Sequence, residues 1–226
     1  MSVQQALFDS TLHGALRRWE LPITPTQAVR LWVHFEAVVE TNQVMNLTRI
    51  TDPVEAAVKH YADSLALLLW SRDRSIAVRT VLDVGTGAGF PAVPLAVMRP
   101  DWAVTAIDAT RKKVDFLART AAAMGMDNLS VEHAHTHHWQ PERTFHVVAT
   151  RALGPLTKCL ESCAALVRPG GWLVAYKTAS VARDEIAAAE KLLKRTRMRV
   201  EEPFEYDLQL GDETLHRTLH LFRRTK

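Results

Sequence analysis

Three glycines that alternate with other residues follow a short apolar run near the middle of the chain. The apolar run covers residues 81–84, the glycines are Gly85, Gly87 and Gly89, and Pro91 opens a second apolar stretch. Glycine reaches positive φ without strain, and its missing Cβ lets a ligand lie against the backbone. Proline is tolerated in the first turn of a helix. The pattern therefore predicts a buried strand, a glycine turn that can carry a ligand, and a helix.

Two aspartates flank this turn in the sequence. Asp83 comes two residues before the first glycine, and Asp108 ends the next predicted strand, roughly 20 residues after that glycine, where Rossmann-type folds place a carboxylate for ribose hydroxyls. The glycines read G-x-G-x-G, whereas dinucleotide-binding turns read G-x-G-x-x-G. Because Asp83 would repel a pyrophosphate but could accept from an ammonium group, S-adenosylmethionine fits better than NAD. An NAD-dependent oxidoreductase and a turn without any ligand remain the alternatives.

The composition is that of an ordinary globular protein. The 226 residues are 47% hydrophobic and 23% charged, and the net charge of +3 permits an anionic partner without requiring one. No run approaches the roughly 18 apolar residues of a membrane helix, and the N-terminus has no secretory pattern. Cys159 and Cys163 lie four apart on a predicted helix and suit a reducing compartment. We expect a cytoplasmic protein without membrane association.

The first third of the chain has a helical pattern, and the remainder alternates strands with helices. A charged connection over residues 71–79 separates the two, which predicts a helical N-terminal extension over residues 1–75 and a Rossmann-like domain over residues 76–226. The last two strands are joined at Gly211 and Asp212, a hairpin pattern. The fold class is therefore α/β, with strands predicted at residues 81–84, 103–107, 128–132, 145–150, 172–176, 200–210 and 215–222.

Several charged side chains could belong to a site. His60 and Asp63 lie three apart on a predicted helix, so they share a face and could contact each other. Arg111, Lys112 and Lys113 fall in the first turn of another helix, where cations oppose the helix dipole. That arrangement favours an anionic partner, although three solvated side chains would explain it as well.

Four histidines in one loop raise the question of a metal site. No Cys, Asp or Glu at ligand spacing accompanies them, so we expect no metal, although one of them could contact an adenine. The fourth and fifth strands end in Arg151 and Lys177, and the carboxyl ends of parallel strands face the crevice of the glycine turn. The histidines are His133, His135, His137 and His138.

Six segments in one order give the chain a family resemblance. The chain resembles the bacterial 16S rRNA guanine-N7 methyltransferases, also called glucose-inhibited division protein B. The resemblance covers about residues 45–177. The segments are MNLT at 45–48, HYADSL at 60–65, DVGTGAGFP at 83–91, DATRKKVDFL at 108–117, RAL at 151–153 and PGGWLVAYK at 169–177.

The resemblance implies methyl transfer from S-adenosylmethionine to N7 of one guanosine in 16S rRNA. The partner would be that RNA or the small ribosomal subunit, and we expect a monomer. A non-catalytic RNA-binding or ribosome assembly module is the alternative from another class. Guanine N7 carries a free lone pair, so no general base is needed. The cofactor contacts implied by the family, together with the glycine turn, are Asp83, Gly85, Gly87, Gly89, Phe90, Asp108, Ala109, Thr110, Thr136, His137 and Arg151.

The remaining expected roles concern the substrate. Arg151 would position the guanine or the cofactor carboxylate through its planar donor fork. Asn46 and His60 would close the site from the helical side. Lys177 and the three cations Arg111, Lys112 and Lys113 would hold RNA phosphates. The sequence departs from the usual family pattern at Ala92, His137, Thr150 and Thr178.

Overall fold

The computed structural model describes residues 2–136, 138–178 and 181–225, and these form a helix-flanked sheet. The strand order is β3-β2-β1-β4-β5-β7-β6. Strands β1 to β5 are parallel, and β7 runs antiparallel to both β5 and β6. The predicted α/β class and closing hairpin are confirmed. The strands are β1 Thr80–Val84, β2 Ala103–Asp108, β3 Leu129–His133, β4 Phe145–Arg151, β5 Val167–Thr178, β6 Met198–Leu210 and β7 Glu213–Arg224.

The helices begin where the sequence offers caps or prolines. Thr24 and Gln27 form a reciprocal capping box at the start of α2, as predicted from Thr24 before Pro25. A π-helical segment, Ala57–Ala62, connects α3 to α4, and a 3₁₀ turn, Ala164–Leu166, follows α7. The helices are α1 Val3–Arg18, α2 Pro25–Asn42, α3 Pro53–Ala56, α4 Asp63–Asp73, α5 Ala92–Met98, α6 Arg111–Ala123, α7 Leu156–Cys163, α8 Arg183–Glu190 and α9 Leu193–Thr196.

Apolar side chains cover both faces of the sheet. Successive strand residues point to opposite faces, so Val81 packs with α1, α2 and α4–α6 while Leu82 packs with α7 and α8. Phe8 and Leu31, from the first two helices, belong to the same buried cluster as Val81. The helical region predicted for residues 1–75 therefore shares its hydrophobic core with the sheet.

Some element boundaries differ from the predicted ones. Strand β5 begins at Val167 instead of residue 172, with a register shift against β4. The helix predicted over residues 180–195 is divided into α8 and α9, and residue 180 lies outside the described residues. Cys159 and Cys163 are buried free thiols. Within the described ranges, no helix is long and apolar enough to cross a membrane.

Candidate cofactor and substrate site

The glycine turn joins β1 to α5 in a conformation that requires glycine. Gly85, Gly87 and Gly89 have φ values of +75°, +58° and +103°. A Cβ on Gly89 would lie 2.8 Å from side-chain atoms of both Leu117 and Val93, so packing as well as φ excludes a side chain there. The turn is tied to the end of β2, because the Gly85 N–H donates to the Ile107 carbonyl at 2.9 Å. The predicted strand, turn and helix are confirmed.

Asp108 lies at the edge of this turn. Its Oδ2 accepts from the Gly87 N–H at 3.0 Å, and its Oδ1 accepts from the Thr110 N–H at 2.8 Å. A carboxylate oxygen can accept more than one hydrogen bond, so each retains a lone pair for a ligand hydroxyl. The two backbone bonds fix the carboxylate where a ribose diol could reach it.

A crevice of about 180 Å³ opens between the turn and Asp108. It contains four of the predicted cofactor residues, namely Gly85, Asp108, Ala109 and Thr136. Leu153 and Lys158 also line the crevice and were not predicted, because nothing in their spacing separates them from ordinary helix and loop positions. The predicted contact at His137 lies outside the described residues.

Asp83 lies beneath the turn and is fully buried. Its Oδ2 accepts from the Ala92 backbone N–H at 3.2 Å, which glycine would also supply, so alanine in place of the usual glycine keeps this bond. Burial raises the pKa of Asp83 to about 7. Its Oδ1 has no hydrogen-bond partner among the described residues. Direct acceptance from a cofactor ammonium group stays a prediction.

Arg151, at the end of β4, is held by the segment that contains the π-helical turn. Its Nε lies 3.0 Å from Asp63 Oδ2, and its Nη2 donates to the Lys59 carbonyl and, at 3.2 Å, to His60 Nδ1. The guanidinium carbon also lies 5.8 Å from the centre of the Phe90 ring. No partner of Nη1 is found within the described part of the chain, which leaves its two hydrogens for a ligand acceptor.

His60 is a neutral imidazole with a defined tautomer. Arginine can only donate, so His60 Nδ1 is the acceptor and Nε2–H donates to Thr48 Oγ1 at 2.8 Å. The ring stacks on Phe90 at 4.6 Å. Burial, followed by the nearby Arg151 charge, lowers the pKa of His60 to about 3. The suggested contact between His60 and Asp63 is wrong in detail, because each bonds to Arg151 instead.

The C-terminal hairpin completes the surroundings of Asp63. The Tyr206 hydroxyl donates to Asp63 Oδ1 at 2.8 Å, and Arg217 Nε lies 3.8 Å from the same oxygen. Asp63 is only 5% exposed, so these contacts compensate a buried carboxylate. Sequence patterns could not identify Tyr206 and Arg217, because they come from strands that are far from Asp63 along the chain.

A second buried histidine links α2 to the glycine turn. His34 is fully buried, and its Nε2–H donates to the Ala88 carbonyl at 2.8 Å. Its Nδ1 accepts from the Tyr61 hydroxyl, also at 2.8 Å. Burial lowers the pKa of His34 to about 4, so the ring is neutral near pH 7. His34 was not among the predicted site residues.

The other predicted residues lie in different surroundings. Asn46 is exposed, and Asn42 is the residue whose Oδ1 accepts from the backbone N–H groups of Leu47 and Thr48. Lys177 donates to the Gly154 carbonyl and pairs with Glu185. The three cations Arg111, Lys112 and Lys113 form the first turn of α6. Within the described ranges, no group of three or more His, Cys, Asp or Glu could hold a metal ion.

The sheet order, the glycine turn and Asp108 together define a Rossmann-like methyltransferase that depends on S-adenosylmethionine. Among solved structures, the N-methyltransferase NodS from Bradyrhizobium japonicum WM9, in complex with S-adenosyl-L-homocysteine, has a TM-score of 0.56 and 16% identity over 85% of this chain and 100% of that chain. A methyltransferase of this cofactor class from Clostridium acetobutylicum also has a TM-score of 0.56, with 10% identity over 74% of this chain and 92% of that chain. These likenesses show the fold.

The sequence comparisons identify the family. The profile described as "GidB: rRNA small subunit methyltransferase G" matches residues 27–205. A protein named ribosomal RNA small subunit methyltransferase G from Solibacter usitatus is 39% identical over 80% of this chain and 85% of its own length. One of the same name from Exiguobacterium sp. is 38% identical over 82% of this chain and 78% of its own. The chain belongs to this family, which confirms the predicted enzyme class and decides against the NAD-dependent oxidoreductase.

Proposed function

We propose that this protein transfers the methyl group of S-adenosylmethionine to N7 of a guanosine in the 16S rRNA of the small ribosomal subunit. One observation carries the proposal: Arg151 ends β4 and Asp108 ends β2, so a fixed cation and a fixed carboxylate lie at the same edge of the sheet as the glycine turn. The names of the curated relatives add the RNA substrate. A methyltransferase that needs no general base requires such positioning groups and does not require a catalytic acid–base pair.

The residues of the crevice fit S-adenosylmethionine. Asp108 is held by the Gly87 and Thr110 N–H groups with lone pairs free for ribose hydroxyls, and Ala109 and Thr136 line the crevice on the expected adenine side. Asp83 lies buried beneath the turn, behind the residues that line the crevice, where its carboxylate would attract the positive charge of the cofactor. When bound, this cofactor supplies an electrophilic methyl group on a sulfonium.

The chain's own groups then position the reactants. Arg151 presents its Nη1 hydrogens to the cofactor carboxylate or to a guanine acceptor, and His60 and Phe90 brace it. The low pKa values of His60 and His34, about 3 and about 4, make both rings weak bases, and the N7 lone pair attacks without a base. Holding two reactants in line can lower a barrier by about 7–11 kcal/mol.

RNA binding would use the exposed cations. The proposal places phosphates against Arg111, Lys112 and Lys113 at the start of α6, and Asn46 on the rim formed by the helical region. We also propose that the protein is a monomer and acts in the cytoplasm. Gel filtration of the purified protein at micromolar concentration tests the monomer.

A methylation assay tests the proposed function. Small subunits from cells that lack this activity are incubated with the protein and methyl-labelled S-adenosylmethionine, and the rRNA is digested to nucleosides. We expect the label in 7-methylguanosine, at no more than one methyl group per small subunit. Asp108→Ala should lose cofactor affinity and transfer, whereas Asp127→Ala, an exposed carboxylate on a loop, should behave as the wild type. Label in another nucleoside, or RNA binding without transfer, would contradict the proposal.

A further inference from the structure

A second cavity lies beside the cofactor crevice. It measures about 310 Å³, near the lower end of the range for small-molecule sites of roughly 300–1,000 Å³. Thr150 and Tyr176 line it from the ends of β4 and β5. Leu153 lines both this cavity and the crevice next to Asp108, so the two spaces share a wall. A group in the second cavity would therefore lie next to a ligand in the first.

One cation and one carboxylate line the cavity, and both are fixed. Lys177 Nζ lies 2.8 Å from Glu185 Oε1 and donates to the Gly154 carbonyl at 2.7 Å. The same Oε1 accepts from the Leu156 N–H at 2.8 Å. No hydrogen bond to Glu185 Oε2 is found in the part of the chain that the structure describes. The cavity thus offers a free carboxylate oxygen beside an ammonium group.

The backbone at the rim of this cavity is strained. Ala152, directly after Arg151, has φ of +57°, a left-handed conformation that alanine adopts at a cost. Such residues concentrate where a ligand must be positioned. Ala152 also lines the cavity, which makes this strain a second observation at the same place.

We infer that this cavity binds the guanine base, with Glu185 Oε2 accepting from guanine N1–H and N2–H₂ and the remaining hydrogen of Lys177 Nζ donating to guanine O6. The inference rests on the proposed function and identifies how the substrate base is selected. On its Watson–Crick edge, guanine presents two donors, N1–H and N2–H₂, next to one acceptor, O6. A carboxylate beside an ammonium group complements that pattern. Adenine would place an acceptor, N1, against the carboxylate and leave it unpaired.

The same orientation leaves the reactive atom free. N7 lies on the other side of O6 from N1, so a base bound by its N1 edge has no protein donor on the N7 lone pair. N7 can then face the wall that Leu153 shares with the cofactor crevice. Lys177, whose side chain is 17% exposed and already bonded within the cavity, suits a base edge better than an external phosphate.

The test compares guanosine with inosine, which lacks only the N2 amino group. Small subunits are reconstituted on rRNA that carries guanosine or inosine at the methylated position, and kcat/KM is measured on both. The wild type should prefer guanosine roughly tenfold or more. Glu185→Gln can still accept from the Leu156 N–H but loses the carboxylate, so its preference should fall to about twofold or less. Glu190→Gln, an exposed glutamate on the same helix, should keep the wild-type preference.

Each result has one interpretation. If Lys177 and Glu185 only join β5 to α8, Glu185→Gln will lower kcat/KM equally on guanosine and inosine subunits. The preference for guanosine will then persist, which overturns the inference. A wild-type preference near one also overturns it and needs no variant. Calorimetry with S-adenosylmethionine should give the wild-type affinity for Glu185→Gln, and a large loss there would point to damage in the cofactor crevice and contradict a base-reading role. Absence of transfer by the wild type would refute the proposed function itself.

Discussion

The side chain of Arg151 is held by three acceptors from residues 59–63, and that arrangement needs a planar fork. Nε bonds to Asp63 while Nη2 bonds to the Lys59 carbonyl and to His60 Nδ1. A lysine carries its charge at a single nitrogen and cannot repeat this geometry. Substitution by lysine therefore keeps the positive charge of this residue and removes the hydrogen-bond geometry of its guanidinium.

Arg151→Lys should lose activity and keep most of its stability. The ammonium group still compensates Asp63, but it cannot bond to His60 and Asp63 together and also present free hydrogens to a ligand. We expect kcat/KM for methyl transfer to fall at least about tenfold, since one charge-assisted hydrogen bond contributes about 1.5–3 kcal/mol. The rate assay and urea unfolding measure the two effects.

Arg151→Ala measures how much the ion pair between Arg151 and Asp63 contributes to stability. Removing one partner of a buried ion pair costs about 3–5 kcal/mol, and we expect the lower end because Arg217 remains 3.8 Å from Asp63. Arg168→Lys, an exposed arginine just before the glycines of β5, is the control and should change neither quantity. Wild-type turnover in Arg151→Lys would exclude a role for the guanidinium fork.

At the scale of elements, helix α2 supports the glycine turn through one imidazole. His34→Phe keeps the buried volume but leaves the Ala88 carbonyl and the Tyr61 hydroxyl without their partner. Each unsatisfied buried group costs about 1–3 kcal/mol, so the free energy of unfolding should fall by at least that amount. Affinity for S-adenosylmethionine, measured by calorimetry, should fall as well, because Ala88 belongs to the turn.

A histidine that bonds only within its own helix provides the control. His13 contacts the Asp9 carbonyl in α1, so His13→Phe should leave the cofactor affinity unchanged. If His34→Phe loses stability but binds the cofactor as the wild type does, His34 serves the core alone and does not position the turn.

Strand β1 carries a carboxylate whose ionisation opposes folding. Burial raises the pKa of Asp83 from its ordinary 3.8 to about 7, so the native state holds a proton that the unfolded state releases between these pH values. The wild type should lose stability from this group as pH rises from about 4 to 7. Asp83→Asn has no carboxylate to titrate, so its free energy of unfolding should rise relative to that of the wild type across this range, by up to about 4 kcal/mol.

Urea unfolding of both proteins at pH 5 and pH 8 checks this sign. Titration of His34 and His60 is common to both proteins and cancels in the difference. Asp127→Asn, at an exposed position, should show the same difference from the wild type at both pH values. An Asp83→Asn difference that does not grow with pH would show that Asp83 ionises normally in the native state.

At the scale of the whole molecule, the sequence predicted what depends on local patterns. Alternating apolar residues and turn formers located all seven strands, and the glycine turn with Asp108 located the crevice. The contacts of Tyr206 and Arg217 with Asp63 could not be predicted, since they depend on β6 and β7 packing beside the π-helical turn. Lys177 was recognised as a strand-end cation, but its partner Glu185 was not, because Glu185 lies eight residues further on, in the first turn of α8, and no local pattern links a strand end to the next helix.

The distribution of charge over the molecule gives a last prediction. Arg111, Lys112 and Lys113 begin α6 on one side of the sheet, with no carboxylate partner in the described ranges. If they hold phosphates, changing all three to Gln should weaken RNA binding. Each lost phosphate contact should also lower the slope of log affinity against log salt by roughly 0.7–0.9.

Lys191, Lys194 and Arg197, exposed cations from the ends of α8 and α9 on the other side of the sheet, form the matched triple. Either triple substitution lowers the formal net charge of +3 to zero, so a general charge effect would change both proteins equally. Filter binding of labelled rRNA over a series of salt concentrations measures the slopes. A slope that falls by about two only in the α6 variant supports a local phosphate site, because counterion release counts the contacts made and not the total charge. Equal slopes in the two variants would remove Arg111, Lys112 and Lys113 from the RNA interface.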